Sequence, residues 1–312
     1  EAVAKGEMLI CSTTTERGTD NLHPLTEAVG TEAVGTEAVG TEEGWRLNGM
    51  KNFVTMSPLA THVATNVRMR DADGDHIANV LLPMNTEGVQ PQGDWDALGM
   101  RASGSQSVQF ENCLVPHDAL RKIGPWGTWS TPVLVNRTLA NVPLVGAFLG
   151  IAEAAFQYAL DGQVTAQADR GQVTAQADRG QVTAQSDKAR PGVHHVLAEM
   201  EILLATAQSI LARLGTKLDD FMAATNGGET ATAAQGHELM KDYQSAKWVV
   251  NRNAIDIVSQ AMDLSGGGGF LAHNPLLRLY RDVRAGPFMQ PYSPIDAREY
   301  MGKVLLGEHP ET

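Results

Sequence analysis

The stretch Gly44–Thr55, GWRLNGMKNFVT, decides how the first part of this chain reads. Apolar and polar residues alternate on both sides of Asn48-Gly49, a dipeptide that favours the two-residue turn of a β-hairpin. Trp45 and Leu47 are expected to enter that turn, and Phe53, Val54 and Thr55 to close the returning strand. On either side the β pattern continues. Met8–Thr14 reads as a short strand rich in β-formers. Ala60–Arg70 and Ile77–Pro83 read as two strands joined by the acidic turn Asp71–Asp75. Val108–Val115 reads as a last strand, with Phe110 on its buried face. The acidic turn opens like a calcium loop, but its glycine is misplaced and Leu82 stands where such a loop keeps a Glu. A solvated hairpin turn is the reading.

Beyond a Trp/Gly/Pro-rich connector, Gly124–Pro132, the apolar period changes from two to about 3.6. Leu144–Leu160 is expected to be helical. A long amphipathic helix carries Val196, Met200, Leu203, Leu204, Ala207, Leu211, Leu214 and Leu218, and Asn226-Gly227-Gly228 ends it as a C-terminal cap would. A second runs through Leu239, Tyr243, Ala246, Val250, Ile257 and Ala261 and stops at Gly266–Gly269. Two shorter helices follow, Pro275–Arg284 and Pro294–Leu306. Strands first and helices afterwards predict a segregated α+β fold: a β-barrel or sandwich over 1–123, then an antiparallel four-helix-bundle-like domain over 133–312.

With 312 residues, 43% of them apolar, the chain can build about two domains with real cores. A formal charge of −12 argues against a nucleic-acid role, which needs a basic face, and no polybasic cluster suggests a membrane surface. Cys11 and Cys113 follow no metal spacing and are too sparse for a disulfide scaffold, so reduced thiols and a cytoplasmic location are expected. The N-terminus shows no signal-peptide pattern and lacks an initiator Met, as a fragment would. Val142–Leu160, the most apolar window, contains Pro143, Glu153 and Gln157 and reads as a buried core helix. Two tandem repeats stand out: TEAVG over 26–40 and GQVTAQADR with close copies over 162–188. They are short and nearly identical, unlike solenoid repeats, and read as duplicated insertions at a loop or a helix end, or as a peculiarity of this one sequence, and not as functional units.

The opening stretch also resembles the G-x-x-L-N-G-x-K-x-[FW]-[IV]-[ST] signature of the acyl-CoA dehydrogenase flavoproteins. Four further segments resemble that family in the same order. Thr14–Asp20 looks like a shortened T-E-P-x-x-G-S-D loop. Leu98–Ser103 with Phe110–Pro116 is similar to L-G-M-R-x-S…F-x-x-V-x-V-P. Gly146–Ala155 is similar to the start of the first C-terminal helix. Asp263–Phe270 with Pro275–Asp282 resembles Q-x-x-G-G-x-G-[FY]…P-x-x-[RK]-x-x-R-D. The resemblance implies FAD as cofactor, with Phe53 and Thr55 beside the flavin ring and Thr14, Thr15 and Thr19 as donors from the loop. Gly266, Gly267 and Arg190 would contribute from the helical part, Arg190 towards a neighbouring subunit. It implies an acyl-CoA substrate, an electron-transfer partner, a dimer or tetramer, and an N-terminal helical domain that this sequence does not contain. A plainer reading of the same threonines is that they are strand formers.

One requirement of that chemistry is missing. Acyl-CoA dehydrogenation needs a base for the α-proton, and the position eight residues after the Arg-Asp pair is Gln290, whose amide cannot accept a proton at neutral pH. The segment GPFMQPYS also lacks the family's E-G-T. Some members carry the base on the first bundle helix, where Glu153 and Asp161 lie; as residues they read more simply as exposed helix carboxylates. His194 and His195 read as a helix-surface pair. Four outcomes are left: an acyl-CoA dehydrogenase with a relocated base, which is the main expectation; a member with other flavin chemistry, such as an oxygenase; a non-catalytic flavin-binding or partner subunit; or, in a different class, a flavin-free structural protein.

Overall fold

The computed structural model describes residues 2–20, 22–30, 44–71, 73–177 and 191–308. The chain divides into two compact units, one built on residues up to Asn136 with Thr232–Ala234, the other on Arg137–Ala231 with Gln235–Glu308. Strands fill the first and helices the second, so the fold is α+β with its two kinds of element segregated.

The strands are β1 (Ile10–Thr13), β2 (Glu27–Gly30), β3 (Trp45–Val54), β4 (His62–Asp71), β5 (Gly74–Pro83), β6 (Val89–Pro91), β7 (Gln106–Val115) and β8 (Leu120–Pro125). They form one mixed sheet in the order β6-β7-β3-β2-β4-β5-β8, with β1 also beside β4. β1 and β2 lie one after the other along β4, both parallel to it: β1 against His62–Thr65 and β2 against Arg68 and Met69. The segment between them, 14–26, therefore leaves and re-enters the sheet next to β3. Leu47, Val54, Val63, Val67, Val80, Val108, Phe110 and Val115 are almost wholly buried and supply the apolar core.

Asn48-Gly49 does not make the expected hairpin turn. β3 runs unbroken for 10 residues, with an irregularity opposite β7 between Leu47 and Gly49. Gly49 has φ +148°, and a Cβ there would lie 2.6 Å from Thr26 Cα. The glycine is needed for close approach of β2 and a bulge, not for a turn. Asn48 turns its side chain to accept a hydrogen bond from Asn112 N at 2.9 Å. The predicted hairpin at Asp71–Asp75 does form, between β4 and β5. Its carboxylates are ion-paired, Asp71 with Lys122 and Asp75 with Arg68 and Arg70.

The connector expected at Gly124–Pro132 is shorter than predicted, because β8 occupies its start and α1 (Thr131–Ala177) its end. α1 is longer than Leu144–Leu160 in both directions and passes through Pro143. Pro143 lies on an exposed face, where solvent can take the carbonyl that its missing N–H leaves. α1 also continues through the first copy of GQVTAQADR, and its end at Ala177 falls within the second, so the helix end lies inside the repeat tract. The first TEAVG copy is no loop, since Glu27–Gly30 is β2. The later copies of both repeats lie outside the described residues.

α2 (Pro191–Ala224) and α3 (Ala233–Ser265) match the two long amphipathic patterns. Asn226, Gly227 and Gly228 all take positive φ just beyond α2, as a left-handed terminator requires. α4 (Pro275–Val283) and α5 (Pro294–Leu305) each start with proline at the first helical turn, capped by Asn274 and Ser293. Within this unit Ala152, Ala155, Met200, Leu204, Ala254, Ile257, Val258, Leu276 and Val283 pack into one core. Val145, Phe148, Ala152, Ala155 and Ala159 give α1 one buried face, while the residues between them are half-buried or exposed, so this apolar window is buried on one side only and not the buried core helix expected.

Candidate functional site

Three separate stretches meet at one edge of the sheet unit. Asn52 N donates to Thr15 O at 2.9 Å, and Thr13 Oγ1 donates to Asn52 O at 2.8 Å, so the start of the 14–26 loop lies along the end of β3. Asn52 Nδ2 donates to Ser107 Oγ at 2.9 Å, and Asp94 Oδ1 accepts from Ser107 N at 2.7 Å. The Ser107 backbone N–H, helped by its hydroxyl, holds the Asp94 carboxyl below the usual carboxylate range against the opposing effect of burial. Thr55 Oγ1 lies 2.9 Å from Ser105 Oγ, which lies 2.6 Å from Ser103 Oγ. Thr15 and, through their neighbour Asn52 and the adjoining end of β3, Phe53 and Thr55 thus lie along one edge, with Thr14 next to Thr15 in sequence.

The loop is fixed from beneath by a pair that sequence reasoning passed over. The Glu16 carboxylate accepts from Leu25 N at 2.7 Å and from Thr26 N at 3.1 Å, and it also receives the Lys51 ammonium. Each of these donors lies across the loop or on β3, so one carboxylate ties the loop's two ends to the strand. Lys51 and Glu16 are both written in the motifs that carry the family resemblance; that they touch is visible only once β1, β2 and β3 are side by side.

Phe53 is 59% exposed, too open for a core residue of that size, and its ring meets Trp95 edge-on at 6.1 Å. Its φ is +57°, and Met56 and Met100 nearby have φ +67° and +53°. Left-handed backbone at non-glycine residues costs about 1 kcal/mol or more each. Three of the five such residues described in the chain gather here, since Met56 N donates to Ser103 O and Ser103 N to Met100 O. Strain concentrated beside an exposed aromatic ring is the signature of a prepared binding edge. Its polar groups are hydroxyls and backbone amides, which suit the neutral donor–acceptor rim of an isoalloxazine, and its exposed phenyl ring offers a face for the tricycle.

The Thr19 hydroxyl donates to His23 O at 2.6 Å, within the loop itself. Asp20 accepts from Leu22 N and His23 N and pairs with the His23 ring. The remaining expected residues belong to the helical unit. Gly266 and Gly267 form an exposed 3-10 turn after α3, tethered where Asn274 Nδ2 donates to Gly268 O at 3.0 Å. Arg190 lies outside the described residues. Glu153 and Asp161 are exposed on α1, hydrogen-bonded to Gln208 and Gln157. His194 and His195 are exposed on α2.

Gln290 sits in a turn gripped by α3. Tyr243 Oη donates to Gln290 O at 3.1 Å, and Lys247 Nζ donates to Tyr292 O at 2.7 Å and to Met289 O. Lys247 is 4% exposed, and among the described residues no carboxylate pairs with it. Burial lowers its pKa to about 8 and pushes the Tyr243 phenol upward. No sequence signal marked Lys247, because a lysine in a helical pattern normally reads as surface.

Comparison with known proteins agrees with the geometry. Residues 14–113 match the acyl-CoA dehydrogenase middle domain and residues 143–290 the acyl-CoA dehydrogenase C-terminal domain. The amino sugar nitrososynthase DnmZ of Streptomyces peucetius is 33% identical over 97% of this chain; the chain spans 66% of that protein's length, just under two thirds. The crystal structure of a nitrososynthase from Micromonospora carbonacea var. africana is 32% identical with a TM-score of 0.78, covering 98% of this chain and 69% of that one. KijD3, solved in complex with FMN and dTDP-3-amino-2,3,6-trideoxy-4-keto-3-methyl-D-glucose, superposes at a TM-score of 0.81 with 29% identity, over 100% of this chain and 68% of the other. The sheet, the helical unit and the two matched domains make this chain a member of the acyl-CoA dehydrogenase family.

Proposed function

We propose that this protein is a flavin-dependent N-oxygenase that acts on the amino group of an amino-sugar nucleotide, and not an acyl-CoA dehydrogenase. The observation that carries this reading is the amide of Gln290 at the position where a dehydrogenase of this family keeps its base. Glu153 and Asp161 are both exposed and engaged with glutamines on helix surfaces, which does not favour either as its replacement. A carboxylate that must take an α-proton is better served by burial, which raises its proton affinity. The relatives at 33% and 32% identity, both nitrososynthases by name, supply the reaction class. KijD3, with its bound amino-sugar nucleotide, supplies the substrate class.

The flavin, once reduced, would activate dioxygen for transfer of one oxygen atom to the amine nitrogen. The substrate amine then becomes a hydroxylamine, the second oxygen leaves as water, and two electrons come from the reduced cofactor. In this reading Phe53 shields the ring from water, Thr14 and Thr15 serve its pyrimidine edge, and Thr55 serves the N5 side. FAD is the form the family resemblance implies; FMN is the form bound to KijD3 and is the one to supply first. Self-association of the helical unit belongs to the same proposal: Ile202 on α2 is 66% exposed, and a sedimentation profile of monomer alone would contradict it.

The test is to incubate the protein with FMN, a flavin reductase, NADH, dioxygen and a dTDP-linked amino sugar. A product heavier by one oxygen atom, absent without dioxygen, is expected. Anaerobic bleaching of the bound flavin by an acyl-CoA, with no oxygenated sugar formed, would overturn the proposal in favour of dehydrogenation.

A further inference from the structure

We propose that the hydroxyls of Thr55, Ser105 and Ser103 form a proton relay between the flavin edge and solvent, an inference that rests on the flavin-oxygenase reading above. Thr55 Oγ1 and Ser105 Oγ are 2.9 Å apart, and Ser105 Oγ and Ser103 Oγ 2.6 Å. In both links either oxygen can be the donor, so the chain can be polarised in either direction by rotation of hydroxyls alone. Exposure varies along it: Thr55 is exposed, Ser105 is buried and Ser103 is half-buried. The middle member is thus cut off from water while the two ends are not.

The backbone fixes this row. Met56 N donates to Ser103 O at 2.8 Å, Ser103 N donates to Met100 O at 2.9 Å, and Ser57 Oγ reaches Gly104 O at 3.4 Å. Met56 and Met100 take left-handed backbone to make the first two bonds.

A ring seated on Phe53 would screen Thr55 from bulk water and leave Ser105 and Ser103 as its connection outward. Oxidation of an anionic reduced flavin by dioxygen consumes one proton whether the product is hydroxylamine and water or hydrogen peroxide. Ser103 would take that proton from solvent and pass its own to Ser105, which passes its own to Thr55, which delivers one at the ring edge. Each O–H bond broken is replaced by one formed, and one proton moves in net.

The experiment uses the FMN-loaded protein, reduced anaerobically and mixed with dioxygen in weakly buffered solution containing a pH-indicator dye, in H2O and D2O. In the unaltered protein, proton uptake should keep pace with flavin reoxidation. Ser105→Ala should hold FMN as tightly but take up protons roughly 10²-fold more slowly, with a larger solvent isotope effect. Ser105→Thr should restore the rate. If Ser105→Ala does not fold, Ser103→Ala cuts the chain at its solvent end and should show the same lag. Proton uptake and isotope effect unchanged in a folded, FMN-loaded alanine variant would overturn the relay. Failure of the unaltered protein to bind FMN or FAD would instead overturn the functional reading.

Discussion

The Lys51 ammonium meets the Glu16 carboxylate inside the sheet unit, with 0% and 4% of their side chains exposed. Removing one member of such a pair strands the other charge without solvent. Lys51→Met is therefore expected to destabilise the sheet unit by about 3–5 kcal/mol, measured by urea unfolding. It should also weaken flavin binding, because Glu16 would no longer hold the 14–26 loop against β3. A loss under about 1 kcal/mol would mean that the loop is fixed by other contacts.

Thr55→Ala is expected to weaken flavin binding by about 1 kcal/mol, a typical net value for one hydrogen bond, or to shift the flavin's potential. Phe53→Ala should increase quenching of the bound flavin's fluorescence by solvent-borne iodide. Visible spectra, redox titration and quenching unchanged in both variants would remove the flavin from this edge.

Gly49→Ala places a methyl group 2.6 Å from Thr26 Cα on a backbone that L-residues rarely adopt. We expect a cost of about 1–3 kcal/mol and looser pairing of β2 with β3, seen as faster amide exchange at Ala28. Tolerance of the substitution without change would show that the bulge can relax.

Lys247 gives the helical unit a pH dependence with a definite sign. Its pKa falls from 10.5 to about 8 on folding, so between these values the unfolded chain binds more protons than the folded one. The Lys247 contribution to stability therefore rises with pH from about 8 to about 10.5, by up to roughly 3 kcal/mol, and is flat below and above that window. Comparing thermal unfolding of the unaltered protein and Lys247→Met at pH 7 and pH 10 isolates it. The gap between them should move in favour of the unaltered protein at the higher pH, and a constant gap would contradict the assignment.

The outline of the fold was legible because it rests on periodicity. Alternation marked β4, β5 and β7, the 3.6-residue pattern marked α2 and α3, and proline with a capping side chain marked α4 and α5. Asn48-Gly49 misled because its glycine answers a long-range contact with Thr26, which local turn statistics do not contain. β8 was missed for a related reason: its pattern LRKIGP has two adjacent charges and ends in Gly-Pro, and it gains strand form by pairing with β5. At the site, Phe53 and Thr55 could be singled out only through family resemblance, as could the loop threonines. Ser105 and Lys247 gave no signal, since their roles depend on partners 50 and more than 40 residues away in sequence.

β3 has a consequence for how such a protein can change. Its inward positions Leu47, Lys51 and Val54 anchor the sheet, while Phe53 near its end stays exposed at the proposed flavin edge. Mutations at the rim can thus explore new reactivity while the keel below goes undisturbed. A scaffold divided in this way can trade one oxidation for another without refounding itself.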